Sequence, residues 1–504
     1  MTSSRHNRCC GGDRITRMHS GHLVRLITLL AVAGLSVQAL EASNSSLLRL
    51  LRVLRDKGSI SAEEYEELRV AAEAEAQAPS VSPAAPSVNR TPPPPAPSEA
   101  APAGTSKVAT AETGAPKLAE KPVAKAPKWY DRVSFRGYTQ FRYHAVLDDD
   151  GAGLNVPNDR SVSTTESFML RRARLILSGD VTDHLYIYLQ PDFNASPSDG
   201  QYSAQLRDVY ADVSFDSAKE YRIRLGQSKV PFGFSNLQSS QNRAALERPD
   251  ALNSAVEGER DIGAFFYWAP AEVREQFRHL VSSGLKGSGD YGVAGFGLYS
   301  GQGLNRSDRN GDPHMVARLS YPFELPRKQV LELGVQGYTG RFVVDTESVA
   351  NPVNPATTVR PAVSPNGVAD ERVGFTAVLY PQPFGFEAEW TVGRGPGLSS
   401  DFRSIDADFL QGGYIQLNYK AETPLGTWFP FIRWQRYDGG RKFARNAPDS
   451  RVEEIDVGVE WSLWKEVEVV VSYTHTFHRT NTRTAPYGDA AGSDRIGLQL
   501  QWNY

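Results

Sequence analysis

The sequence predicts an all-β chain: a transmembrane antiparallel β-barrel of about 16–18 strands, preceded by a short helical hairpin or coiled coil and a disordered Pro/Ala-rich linker. Three observations predict it. From Lys128 onward, short segments alternate apolar and polar residues in period two between Gly, Asp, Asn and Pro clusters. Mean hydropathy is −0.41, and no run approaches the roughly 18 apolar residues of a spanning helix. Tyr (21), Phe (22) and Gly (43) are abundant, and the final alternating segment closes on Tyr504.

The first 127 of the 504 residues divide into three pieces. Residues 1–39 read as a secretory signal, with Arg14, Arg17 and Arg25 before the apolar stretch Leu26 to Val37 and a small-x-small site at Val37-Gln38-Ala39. Translation from Met18 gives that signal a more ordinary basic region. Both cysteines, Cys9 and Cys10, precede the stretch, so the mature chain has no thiol for disulfide, nucleophilic or thiolate-metal chemistry. Residues 43–76 carry Leu47, Leu51 and Leu54 at helical spacing, a break at Gly58-Ser59, and a capping box at Ser61-Ala62-Glu63-Glu64. Two heptads are too few to fix an oligomer number. Residues 79–127 are Pro, Ala, Ser and Thr, too poor in apolar side chains to offset the entropy of ordering, and form an extended tether.

Residues 128–504 are the barrel. In the segment 135–143, Phe135, Phe141 and Tyr143 share one face, and Arg136, Tyr138, Gln140 and Arg142 share the other. Ile455, Val457, Val459 and Trp461 oppose Glu454, Asp456 and Glu460; Ile496, Leu498, Leu500 and Trp502 oppose Arg495, Gln499 and Gln501. A soluble sandwich also alternates, but a membrane barrel turns its apolar face to lipid and its polar face to a wet lumen. Charge on the polar faces and aromatics near segment ends (Tyr143, Tyr338, Trp390, Trp434, Trp461, Trp502) favour the barrel. Seventeen segments are legible, although a barrel with both ends at one rim needs an even number.

Several blocks resemble one family. Phe168-Met169-Leu170-Arg171-Arg172-Ala173-Arg174-Leu175, Leu206-Arg207-Asp208-Val209-Tyr210-Ala211, Arg224-Leu225-Gly226-Gln227-Ser228-Lys229-Val230-Pro231-Phe232-Gly233, Leu246-Glu247-Arg248 and Arg260-Asp261-Ile262-Gly263 are similar to the phosphate-selective porin O and P family, in its order and spacing. The resemblance spans about 128–504, is strongest between 166 and 265 and is weak in the last third. It implies a 16-stranded, homotrimeric outer-membrane porin that passes small anions through a narrowed eyelet, with outer-membrane lipid and lipopolysaccharide around it. Preference for phosphate or polyphosphate is an expectation that the resemblance alone does not establish.

The residues themselves make a case for anions through arginine. Arg136 with Arg142, Arg172 with Arg174, and Arg222 with Arg224 share polar faces; Lys229 ends the third strand, and Arg248 lies in the irregular stretch 231–258. These eight are the candidate pore-lining, anion-binding residues. A guanidinium presents a fixed fork of donors to an oxyanion and stays charged, and a series of them passes an ion from site to site. Irregular backbone at membrane depth is tolerated only where it lines a cavity, so 231–258 is the candidate constriction loop; an ordinary outer loop is the alternative. Against anion preference, the barrel holds 32 Arg and 8 Lys but 46 acidic residues, a balance of −6. Inward arginines paired with inward carboxylates make a general or weakly cation-selective porin, tethered to the periplasm or cell wall by its N-terminal segment. No cofactor, metal, nucleic acid or enzymatic grouping is expected: the one close histidine pair, His475 and His478, points to opposite faces of a strand.

Overall fold

The computed structural model describes Glu66 and residues 128–149, 167–196, 201–480 and 489–504. The signal, the tether and all of the helical hairpin except Glu66, which is helical, lie outside the described residues. Sixteen strands build the barrel: β1 (Val133–Asp149), β2 (Ser167–Asp180), β3 (Leu185–Ser196), β4 (Gln201–Ser214), β5 (Tyr221–Lys229), β6 (Arg260–Trp268), β7 (Ala294–Tyr299), β8 (His314–Glu324), β9 (Val330–Phe342), β10 (Val368–Leu379), β11 (Phe384–Leu398), β12 (Ile405–Tyr419), β13 (Gly426–Gly440), β14 (Asp449–Trp464), β15 (Val467–Thr480) and β16 (Asp489–Asn503).

Each strand pairs antiparallel with its neighbours in sequence, and β1 pairs with both β2 and β16, so the ring closes. Closure is obligatory in hydrocarbon, where an open edge would leave a row of amides without partners. The chain end completes the ladder: Tyr504 N–H donates to Gly137 O at 2.9 Å, and Gly137 N–H returns to Tyr504 O at 2.6 Å. Both ends of the barrel sit at one rim, which by the short-turn rule faces the periplasm. The sixteen spanning strands are one fewer than the seventeen segments legible in the sequence, and short extended pieces also occur. Ala421–Thr423 continues β12 past Lys420, and Val349–Ala350 pairs with Thr358–Val359 in an outer loop.

Alternation is inverted relative to a soluble sheet. Phe135 (66% exposed), Phe375 (58%) and Phe409 (64%) point outward, while Gln140, Arg174, Glu389 and Arg433 are buried inside. Outward tryptophans pair over small residues: Trp390 and Trp434 stack with centroids 6.2 Å apart, and Trp428 and Trp461 at 4.7 Å. Gly413 lies beneath the first pair, where a Cβ would sit 2.8 Å from the Trp390 ring and 1.9 Å from Glu389 O. Of the expected interfacial aromatics, Tyr338 is a correction. It is buried on the inner face because its hydroxyl donates to both Asp370 carboxylate oxygens, at 3.0 and 3.2 Å.

Two connections enter the ring. Residues 230–259, between β5 and β6, are buried or half-buried throughout and hold two one-turn helices, α1 (Phe234–Leu237) and α2 (Asp250–Asn253). Residues 269–293, between β6 and β7 at the periplasmic rim, hold α3 (Ala271–Ser282). Its Val273, Phe277 and Leu280 fall at i, i+4 and i+7 and pack with Phe234, Val330, Val378 and Tyr380.

Because β16 seals the ring against β1, removing Trp502 to Tyr504 deletes the pairs Trp502↔Thr139 and Trp502↔Val467 with the terminal bonds to Gly137. Outer-membrane levels of the truncated chain are expected to fall at least tenfold by membrane fractionation, with protein accumulating in the periplasm.

Candidate permeation site

Loop 230–259 is held across the lumen by buried groups on four walls. It starts at Gly233, whose φ of +83° is disfavoured for residues with a Cβ; an added Cβ would also lie 2.3 Å from Leu252 Cδ1. The turn aims the backbone N–H groups of Phe234 and Ser235 at the Glu389 carboxylate of β11, at 2.6 and 2.7 Å. Farther on, Ser240 accepts from Gln140 and bonds Tyr138 of β1. Arg433 of β13 donates to Glu247 O at 2.6 Å, and Arg372 of β10 donates to Ser254 Oγ and O. Segment 231–258 is therefore an inward loop, as its position and lack of alternation implied.

Two loop carboxylates gather the nearby cations. Glu247 meets Arg142 at 2.6 Å, Arg171 at 2.9 Å and Arg172 at 3.8 Å. Glu259 meets Arg248 at 3.1 Å, Lys229 and Arg243 at 3.3 Å, and Arg260, which is shared with Asp208. Burial alone would raise both carboxyl pKa values. The arginines around Glu247, and Lys229, Arg248, Arg260 and Arg243 around Glu259, instead hold them well below the usual carboxylate range. Seven cations thus face three carboxylates, Glu247, Glu259 and Asp208, and Arg172 Nε with Arg243 Nε and Nη2 are buried without a hydrogen-bond partner among the described residues.

The eight candidate residues separate by this geometry. Arg142 and Arg172 adjoin Glu247, while Lys229 and Arg248 adjoin Glu259; Lys229 also donates to the carbonyls of Asn236, Leu237 and Gln238. Arg174 is paired with Asp192 at 2.7 Å and Arg224 with Asp212 at 2.7 Å, each pair opposed directly across neighbouring strands. Arg224 also lies over Tyr210, its guanidinium carbon 3.9 Å from the ring centroid. Arg222 binds Asp290 of the periplasmic connection at 2.6 Å. Arg136 shares the inner parity of Tyr138 but sits exposed near the periplasmic end of β1.

The opposite wall is acidic. Glu387 and Glu389 adjoin on β11; no ion pair with a cation is found for either among the described residues, and Glu387 accepts only long bonds from Tyr414, Gln416 and Asn418 at 3.3–3.4 Å. A small cavity of about 40 Å³ lies beside the loop between Arg142, Glu247, Arg433, Glu454, Asp456 and Arg495. Another, of about 10 Å³, lies between Arg243, Ser235 and Gln238 of the loop and Glu387, Tyr414 and Gln416 of the wall. The space between the loop and this wall lies between cationic and anionic side chains, in a transverse field strengthened by low-dielectric surroundings.

Sequence reasoning missed Arg171, Arg243, Arg260 and Arg433 as parts of this site. Arg171 neighbours Arg172 in the same basic run and is the extra residue where the β1–β2 ladder shifts register, which lets it reach Glu247; Arg243 sits inside a stretch already set apart as irregular, so its position was the available signal. His475 is exposed and His478 buried, so that pair does point to opposite faces. No group of three or more His, Cys, Asp or Glu among the described residues is placed to hold a metal.

A closed 16-strand barrel with an apolar exterior, a charged lumen and an inward loop between β5 and β6 is an outer-membrane porin. The family model described as phosphate-selective porin O and P matches residues 141–504, and the chain belongs to that family. A search of curated protein sequences finds no significant match. Solved structures with some likeness include OmpT, an outer membrane protein of Vibrio cholerae (12% identity, 74% of this chain and 99% of that one, TM-score 0.43). They also include the outer membrane channel DcaP of Acinetobacter baumannii (15%, 74% and 97%, 0.44) and an anion-selective porin from Comamonas acidovorans (12%, 73% and 99%, 0.40). These likenesses are loose; the barrel stands on its own closed ladder.

The two charge-assisted bonds at Glu389 each contribute about 2 kcal/mol. Glu389→Ala is expected to free the start of the inward loop, raising single-channel conductance about twofold and adding open-channel noise in planar bilayers. A variant with wild-type conductance and noise would show that the anchor is dispensable.

Proposed function

We propose that the protein is a passive diffusion porin for small hydrophilic solutes with a preference for anions, phosphate and polyphosphate among them. The observation that carries this reading is the excess of cations where the inward loop narrows the lumen: seven around the three carboxylates Glu247, Glu259 and Asp208. Guanidinium forks suit tetrahedral oxyanions, and the chain belongs to a family described as phosphate-selective. The arrangement works by exchange. An anion shed of part of its water takes donors from Arg172 and Arg243, whose nitrogens lack full partners, and leaves because neighbouring cations offer the next site. A trimer within lipid and lipopolysaccharide is part of the same reading.

A second reading is favoured by one observation. Glu387 and Glu389 have no cation partner among the described residues and face the lumen, as a weakly cation-selective pore requires. Reversal potential in a potassium chloride gradient decides by its sign. For the wild type we expect chloride to be favoured, and Arg172→Gln with Arg243→Gln to lower the chloride-to-potassium permeability ratio by about threefold. A potassium preference in the wild type would discard the anion reading.

A further inference from the structure

The periplasmic connection 269–293 does more than join β6 to β7. Its helix of 12 residues carries the chain about 18 Å. The residues that follow reach β14, where the Lys286 ammonium ion-pairs with the Glu460 carboxylate and lies 4.7 Å from the centroid of the Phe429 ring of β13. In a ring of sixteen strands, β7 and β14 stand seven apart, nearly opposite each other. The segment therefore crosses the lumen.

It is fastened along its length. At one end the Asp290 carboxylate takes Arg222 of β5 at 2.6 Å and Arg274 of α3 at 2.8 Å. In the middle, Gln238 of the inward loop donates to Lys286 O at 2.6 Å. On the far side Lys420, just past β12, donates to Ser283 O at 3.2 Å. Burial would lower the Lys286 pKa, but Glu460, aided by Glu468, more than offsets this, and the ammonium is held above its usual value. On the side of β9 and β10 the helix packs against the wall and against Phe234 of the inward loop, so that sector is closed by apolar side chains.

We propose that residues 283–290 form a fixed bar at the periplasmic end of the pore, a second size filter in series with the loop 230–259, with Lys286 as its contact with the far wall. Resistances in series add, so a solute that clears the upper loop must still pass beside the bar, in the sector away from β9 and β10. This rests on the porin reading. It differs from that reading in assigning part of the size limit to the periplasmic rim rather than to the upper loop alone.

The test replaces residues 271–290 with a short Gly/Ser turn and compares conductance in planar bilayers and sugar uptake by liposome swelling, after heat-modified gel mobility confirms assembly. A filter in series predicts about a twofold rise in conductance and entry of a trisaccharide that the wild type excludes. An assembled replacement with wild-type conductance and exclusion would overturn the proposal while leaving the porin reading intact; a wild type that conducts nothing would overturn both. A second variant covers failure to assemble. Lys286→Cys with Glu460→Cys places two thiols in a barrel region that otherwise has none, since the sequence holds only Cys9 and Cys10. A short bifunctional thiol reagent, able to span the gap that a Lys–Glu contact leaves and a disulfide cannot bridge, should link them in the assembled barrel with conductance unchanged. Absence of the link in the assembled barrel shows that the segment does not reach the far wall and overturns the proposal.

Discussion

Every feature of this barrel descends from one constraint: in hydrocarbon, a backbone amide has no partner except another backbone. Strands can cross only if the last pairs with the first, and the exchange between Gly137 and Tyr504 marks where that happens. Closure then creates two surfaces with opposite demands. Lipid accepts Phe375 and Phe409 outside, while the inner surface must carry polar side chains and satisfy them. The charges inside are thus a consequence of closure before they are a device for transport, and most are spent on one another. Asp192 with Arg174, Asp212 with Arg224 and Asp456 with Arg433 are lateral pairs across adjacent strands.

The period-two signal made the barrel wall legible, because side-chain parity survives any error in register. Arg142, Arg172, Glu454 and Gln499 face inward as their alternation required. Tyr338 was misplaced because an aromatic near a segment end looks the same whether it meets the interface or reaches an inner carboxylate; its Asp370 partner is 32 residues away. Pairing of charges was not legible at all. Whether Arg174 meets Asp192 depends on register, and ladders here shift at bulges between Gln140 and Phe141 and between Gln190 and Pro191. The balance of −6 showed that partners existed without showing which.

The inward loop was legible as a loop and as a candidate constriction, since it lacked alternation immediately after a clear strand. Its effect on charge was not, because Glu247 and Glu259 collect cations from β1, β2, β5 and β6 as well as from the loop itself. The periplasmic connection left a readable trace, the helical spacing of Val273, Phe277 and Leu280, but an amphipathic turn does not reveal whether its apolar face meets a barrel wall or another molecule. Only the fold shows Lys286 arriving opposite its own origin.

Lateral pairing has an evolutionary consequence. On the wall of β2 to β5, reversing one charge strands its partner in a buried place and puts two like charges on adjoining strands, so changes there must come two at a time to leave the barrel assembled. The inward loop is under no such lock: Glu247 and Glu259 each serve several cations, and losing or gaining one neighbour leaves the rest compensated. Divergence in what such channels carry is therefore expected to accumulate in the loop by single substitutions, while the wall charges persist as matched pairs or are exchanged as pairs.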